Sequence, residues 1–434
     1  MRSFTLCLAT AIVLPGIVQA NTIIYVAPSG QDGASSGTET LPFRTITAAL
    51  KTKPAPGTIV QLAPGTYSQE SGETFPIVVP RGVVLRGNET GKGEGVTISG
   101  GGFFVSPTFA RQNVAILASD GSQVRGITLI NNLKRGYGLW VESAANVAIV
   151  NNTFTDTSHD GVFLTGKTQA LVLNNLFQGN RASGISAVGE STGEIRDNVF
   201  DNTGFGLSVG QKSAVTIVNN RITNNRSGIV LSNLTTPKLR SNLIANNRED
   251  GLVILKDRVN QPNPDLGTPN EPGENIFQNN AKKDINNATL VTLAAFGNQV
   301  DPKKVVNVDL SGAPTLSNLP PEPPKTIPPT TVPAPVVIDR QPTPPKAIPP
   351  GGIAVPVAPK PQPSATNPFR FRVFVPIESE ARTAQLKTIV PDAFVTTRNG
   401  QRRLQVGAYK SQSEADAKLK QLSEAGFKGT IEQI

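Results

Sequence analysis

Asn175-Leu176-Phe177-Gln178-Gly179-Asn180-Arg181-Ala182-Ser183-Gly184-Ile185-Ser186-Ala187 is answered 23 residues later by Asn198-Val199-Phe200, and 22 residues after Gly184 by Gly206-Leu207-Ser208-Val209. The same pair of residues recurs along the middle of the chain: Asn132, Asn152, Asn175, Asn198, Asn220 and Asn242, with Gly138, Gly161, Gly184, Gly206, Gly228 and Gly251. A period of this size means stacked supersecondary units, and the short β-branched runs between turn residues make each unit out of strands.

Aligned on the glycine, the next residue is Leu139, Val162, Ile185, Leu207, Ile229 or Leu252, and two further on stands Val141, Leu164, Ala187, Val209, Leu231 or Ile254. Both columns are apolar, so they point inward. The residue between them varies (Trp140, Phe163, Ser186, Ser208, Val230, Val253) and points outward, because strand side chains alternate. A second inward column is expected three residues before each asparagine, at Leu129, Ile149, Val172, Ile195, Ile217 and Leu239, and a third two residues after it, at Phe154, Phe177, Phe200, Ile222 and Ile244. The asparagines themselves read as an internal ladder, each amide bonding its neighbour one strand spacing away (about 4.8 Å) and satisfying turn backbone that burial would leave unpaired.

Coils of this length with short parallel strands predict a mainly β fold, a right-handed parallel β-helix over residues 21–310. The pattern resembles the pectate-lyase-like superfamily. The preceding run strengthens the likeness: Ile24-Tyr25-Val26-Ala27-Pro28-Ser29-Gly30, Asp32, Gly37-Thr38, Pro42-Phe43-Arg44-Thr45-Ile46, Ala48-Ala49-Leu50 and Leu62-Ala63-Pro64-Gly65-Thr66-Tyr67 resemble the opening of an uncharacterised family of such β-helices. Thr45 to Lys51 reads as a short amphipathic helix capping the open end.

Residues 1–20 read as a cleavable secretory signal, with Arg2, an apolar run from Leu6 to Val18 and the small residue Ala20. The only cysteine, Cys7, lies within it, so the mature chain would have no thiol for a disulfide or a thiolate metal site. No other apolar run approaches a membrane span. Residues 311–367 hold about half of the chain's 36 prolines and read as a disordered, semi-rigid spacer. The net charge of +9 is dispersed: residues 368–434 have 11 Lys or Arg against 7 Asp or Glu, and the β-helix is close to neutral. With export, this argues against a nucleic-acid partner and for an anionic wall or an acidic polysaccharide.

Residues 368–434 follow a βαββαβ pattern: Phe369 to Ile377, Glu378 to Ile389, Ala393 to Thr397, Arg403 to Tyr409, Ser413 to Gly426 and Gly429 to Ile434, with a hairpin turn at Asn399-Gly400. The second helix is expected to have a serine cap and to face Ala417, Leu419 and Leu422 inward. Arg403-Leu404-Gln405-Val406-Gly407-Ala408-Tyr409 with Ser413-Glu414-Ala415, Leu419, Leu422 and Gly426-Phe427 closely resembles a SPOR domain, which implies binding to peptidoglycan glycan strands. Alternation predicts Leu404, Val406 and Ala408 on the helix side, and Arg403, Gln405 and Gly407 on the open face with Tyr409 at its end. Arg370, Arg372 and Phe374 are expected to share that face. The first strand departs from the family by lacking a second copy of the Gln and Gly of the motif.

The superfamily includes polysaccharide lyases, hydrolases and epimerases. Proton abstraction beside a uronate needs a base and a charge neutraliser on one outer face. The one histidine, His159, is followed by Asp160 and preceded by Asp156, and Thr157-Ser158-His159-Asp160 resembles the Asp-Pro-His-Asp run of alginate epimerases at two of four positions. An exposed turn histidine is the competing reading. Glu190, Glu194, Asp197 and Asp201 could surround a calcium, although a solvated turn face is preferred and no cofactor is assigned. Trp140 and Phe163, in the outward column of neighbouring coils, could stack into a platform for a sugar ring, unless a loop or the linker covers them. The insertion Lys256 to Gly273 could overlie part of that surface. The preferred expectation is a non-enzymatic protein of the periplasm or cell envelope, tethered to peptidoglycan, whose β-helix binds carbohydrate or an envelope partner. The alternative is a wall-localised polysaccharide lyase or epimerase.

Overall fold

The computed structural model describes residues 22–257, 261–311, 371–376, 382–383, 385–386, 390, 394–398, 401–409 and 411–433. The expected signal at 1–20 and, apart from Ser311, the expected linker lie outside the described residues. From Ile23 onward the chain winds as a right-handed parallel β-helix with three sheets, of 9, 9 and 11 strands. One coil visits all three in turn, through Val147–Val150, Thr153–Thr155 and Val162–Thr165. Each strand pairs in register with the coils before and after it, as in Leu139↔Val162↔Ile185↔Leu207.

The inward columns stack like on like. Phe154, Phe177 and Phe200 are fully buried, with ring centroids 4.9 and 4.7 Å apart and planes within 6°. That stack explains the glycine column. A Cβ on Gly184 would sit 2.5 Å from Phe200 Cδ1 and 2.8 Å from the carbonyl oxygen of Gly206, so a side chain at this corner would collide with both the ring stack and the next coil.

The asparagine ladder runs through Asn152, Asn175, Asn198, Asn220, Asn242, Asn275 and Asn298. Each Nδ2 donates to the next Oδ1 at 2.8–3.0 Å, and that same Oδ1 accepts the backbone N–H of the preceding asparagine, as Asn198 Oδ1 does from Asn175 at 2.9 Å. Nδ2 also reaches a carbonyl of the preceding coil, Val172 for Asn198. One amide therefore satisfies several buried groups at each turn.

Asn132 is not in the ladder. It is exposed, and its expected place is taken by Ile127, whose N–H donates to Asn152 Oδ1 at 3.1 Å. The first coil was consequently aligned one strand out: Leu129 pairs with Phe154 and joins the phenylalanine column, while Val124 stands beside Ile149. A second ladder, unread in the sequence, follows five residues after the first and comprises Thr157, Asn180, Thr203, Asn225, Asn247 and Asn280. Its mixture of threonine with asparagine hides the column.

The helix α1 (Ile46–Lys51) closes the first end as expected, burying Ile46 and Ala49 against the core. Thr45 caps it, and the Glu73 carboxylate accepts the N–H groups of Ile46 and Thr47 at 2.6 and 2.9 Å. Burial raises the Glu73 carboxyl above its ordinary range against the pull of those bonds. At the far end Lys304 Nζ donates to the Asn280 carbonyl at 2.6 Å, and Lys283 Nζ approaches that of Lys303 at 3.4 Å.

In the tail, Phe394–Arg398, Gln401–Tyr409, Phe371–Pro376 and Thr430–Gln433 form one antiparallel sheet in that order. The helix α2 (Gln412–Glu424) packs on it. Its cap is Ser411, in a reciprocal pair with Glu414, and it buries Ala415 and Leu422; Ala417, expected inside, is exposed. The Asn399-Gly400 turn and most of the segment from Glu378 to Ile389 lie outside the described residues.

Replacing Asn198 with alanine strands the Asn175 N–H and the Val172 carbonyl in the core. We expect a loss of about 2–4 kcal/mol in urea unfolding. Gly184→Ala is expected to destabilise as well, because the Phe200 ring and the Gly206 carbonyl have to move.

Candidate functional site

The outer face of the third sheet brings Trp140 and Phe163 together as expected, with centroids 4.2 Å apart and planes at 15°. They do not form an open platform: Trp140 is 1% and Phe163 6% exposed. The strand Gly102–Ser106 and the turn after it fold back over them in a hairpin from Ala110–Ala118, which is the preceding strand of the same sheet. Phe104 meets Trp140 edge-on at 5.5 Å, and Phe109 meets Phe163 edge-on at 5.0 Å. Glu142 pins the tip of that hairpin, accepting from Ser106 Oγ at 2.7 Å, Thr108 N at 3.0 Å and Trp140 Nε1 at 3.2 Å. The covering element is thus a hairpin upstream in the chain. The described part of the Lys256–Gly273 insertion, from Gln261 on, runs elsewhere, extending the first sheet where Leu239 N donates to the Asp265 carbonyl at 3.0 Å and Arg240 pairs with the Asp265 carboxylate at 2.6 Å.

His159 lies at the rim of this cluster, its ring 4.4 Å from that of Tyr137. Its Nδ1 is 3.4 Å from Asp160 Oδ1, and the Asp160 side chain is buried. Asp160 Oδ1 also accepts the Ser183 N–H at 2.8 Å, as Asp250 Oδ1 accepts that of Lys283 at 2.9 Å. Both aspartates therefore pin the next coil. They differ at the second oxygen: Asn286 donates to Asp250 Oδ2 at 3.2 Å, whereas Asp160 Oδ2 has no hydrogen-bond partner among the described residues. Asp156 is an exposed turn residue at φ 51°, in a column of left-handed residues with Asn202, Asn224, Asn246 and Asn279. Short polar side chains tolerate that conformation, which accounts for the aspartate.

The four carboxylates weighed for calcium are drawn apart by other partners. Glu190 faces Lys167 at 3.7 Å, Arg196 takes Glu194 at 3.4 Å and Asp197 at 2.9 Å, and Asp201 accepts from Asn224 at 2.6 Å. No group of three or more metal-ligating side chains occurs among the described residues.

In the tail, Arg372, Phe374, Arg403 and Gln405 come together on the face away from α2, joined by Glu432, which pairs with Arg403 at 2.6 Å. Arg403 lies 4.6 Å over the Phe374 ring. Phe374 is 3% and Gln405 8% exposed, so the aromatic ring expected to stack on sugar is the floor beneath the guanidinium. Tyr409 is elsewhere. A bulge between Val373 and Phe374 puts Gly407 opposite Val373 and Tyr409 opposite Phe371, shifting both to the helix side. Tyr409 packs against the core there, and burial, with the charge of Glu414, pushes its hydroxyl up to about 12.

Since Trp140 is the only tryptophan, the covered stack has a direct readout. Native emission is expected to be blue-shifted and resistant to iodide quenching. Phe109→Ala is expected to shift it to the red and admit the quencher; a wild-type protein already quenched like free tryptophan would overturn the arrangement.

The fold resembles that of several solved structures. A pectate lyase, Pel9A, is 15% identical, with 69% of this chain and 79% of that chain covered and a TM-score of 0.46. A polygalacturonase from Erwinia carotovora ssp. carotovora is 13% identical over 70% of this chain and 99% of its own, with a TM-score of 0.36. Pectin methylesterase from carrot is 13% identical over 69% and 90%, also at 0.36. Identities this low speak to the fold alone. No curated protein matches the chain in sequence. The tail matches the SPOR domain over residues 375–431. With residues 28–305 matching its family model, the chain belongs to the family described as "Protein of unknown function (DUF1565)".

Proposed function

We propose that this is an exported cell-envelope protein, held on peptidoglycan glycan strands by its SPOR domain, whose β-helix presents a rigid surface to carbohydrate or an envelope partner. The observation that carries the reading is the tail's sheet face. The Arg403 guanidinium stands over the aromatic floor of Phe374, with Arg372 and Gln405 on the same face, and residues 375–431 match a domain of peptidoglycan-binding type. Arginine and glutamine offer several fixed donors to sugar hydroxyls and carbonyls. Export rests on the apolar leader and Ala20, and no helix among the described residues is long and apolar enough to cross a membrane.

Sedimentation with purified peptidoglycan tests this. Arg372→Ala combined with Gln405→Ala is expected to lower retention about tenfold or more, the loss of two hydrogen-bonding groups. Undiminished retention by a folded double variant would sink the assignment of that face.

A second reading, a polysaccharide lyase or epimerase, is favoured by one observation. His159 Nδ1 is buried against Asp160 while the side chain as a whole is about a third exposed, so its exposure lies away from Nδ1. A carboxylate beside an imidazole favours a proton on the near nitrogen and leaves the other facing out, although at 3.4 Å Nδ1 makes no hydrogen bond to Asp160 here. If this holds, the wild-type protein cleaves or epimerises a uronate-containing polymer and His159→Ala abolishes it; a wild type inert on such polymers ends this reading.

A further inference from the structure

The corner between the second and third sheets has an uneven charge. From coil to coil it carries Arg181, Arg226, Arg248, Lys282 and Lys303, all exposed. Arg181, Arg226 and Arg248 stand in one column, since their N–H groups bond Thr157, Thr203 and Asn225 of the preceding coils at 3.0, 3.1 and 2.8 Å. Apart from Asp156, exposed on the coil before Arg181 and bonded by the adjacent Thr155 hydroxyl at 3.2 Å, the acids of the same corner are occupied or inside. Glu249 is held between Arg226 at 3.4 Å and Lys282 at 3.5 Å, and Asp250 and Asp284 are buried on backbone and asparagine donors. Asp301 caps the short turn Pro302–Lys304.

Gly204 occupies the column between Arg181 and Arg226, its N–H on the Asn180 carbonyl at 3.0 Å. A Cβ there would lie 2.2 Å from the Ala182 carbonyl oxygen, so the position holds no side chain. The result is a notch two coil rises long, about 9.6 Å, with a guanidinium at each end. Phe205, half-buried beside it, has the Arg226 guanidinium 5.8 Å from its ring.

We propose that this corner is a binding track for an extended acidic polysaccharide lying along the solenoid axis. Carboxylates of the polymer seat in the Arg181–Gly204–Arg226 notch and against Arg248, and the apolar face of a sugar ring lies on Phe205. Like charges repeated at the coil spacing repel one another; Glu249 offsets part of the Arg226 charge and Arg248 Nη1 donates to Asn202 Oδ1 at 3.1 Å, while neither the ladders nor the core uses these guanidiniums. A linear chain whose carboxylates recur at one or two coil rises relieves that repulsion, and guanidinium pairs with carboxylate through two parallel hydrogen bonds. The aromatic neighbour favours a sugar over a bare polyanion. The proposal rests on the reading that the β-helix faces carbohydrate, and it is independent of the SPOR domain.

The test uses the full chain on immobilised polygalacturonate, with polyphosphate and neutral dextran as parallel supports. Retention on polygalacturonate is expected to exceed that on polyphosphate, to fall with added salt, and to drop about tenfold or more in Arg181→Gln/Arg226→Gln/Arg248→Gln. A control losing three exposed lysines elsewhere, Lys51→Gln/Lys53→Gln/Lys212→Gln, is expected to bind like wild type. Equal loss in both triple variants, stronger binding to polyphosphate, or no retention of the wild type on polygalacturonate would overturn the proposal. Sedimentation with peptidoglycan, expected to be unchanged in the arginine variant, separates this outcome from failure of the tethering role.

Discussion

A polypeptide that turns sharply three times per coil must hide backbone donors and acceptors at each corner, and the interaction that makes this possible is the side-chain amide of asparagine. Its two donors and one accepting oxygen match what a buried parallel turn leaves over. From Asn152 to Asn298 the same amide bonds the next amide, the neighbouring N–H and a carbonyl of the preceding coil. The second ladder does similar work five residues on with asparagine or threonine. With the corners satisfied, the aliphatic and phenylalanine columns can stack in register, and stability becomes a nearest-neighbour property of successive coils.

Much of this was legible because a stacked fold writes each buried column as a periodic column in the chain. The glycines were read at once and for a physical reason: the stacked rings and the next coil's carbonyl leave no room for a Cβ. Asn132 misled because Asn131-Asn132 imitates the motif at a coil where Ile127 stands in the ladder, and only backbone pairing distinguishes them. The second ladder escaped because its rungs are threonine at some coils and asparagine at others, which do not look alike in a sequence.

The candidate sites were less legible, since surface residues are read by alternation and alternation fails wherever the backbone departs from regular pairing. Trp140 and Phe163 did stack, but a hairpin inserted in the preceding coil covers them, and nothing in their own coils announces it. In the tail, one bulge reversed the phase of the strand ending at Tyr409, so Gln405 stayed on its assigned face and Tyr409 left it. His159 and Asp160, neighbours in the chain, stand 3.4 Å apart at Nδ1 and Oδ1. The structural duty of Asp160 towards Ser183 emerges only from comparison with Asp250.

The two ends of the solenoid are finished differently, and this bears on whether copies can stack on one another. A parallel stack of coils is open to indefinite growth, because its terminal strands present the same unpaired groups that bind the coils within. Here a capped helix seals one mouth, while lysine ammonium groups occupy carbonyls at the other. Each contact removes a backbone group that another molecule could otherwise pair with head to tail.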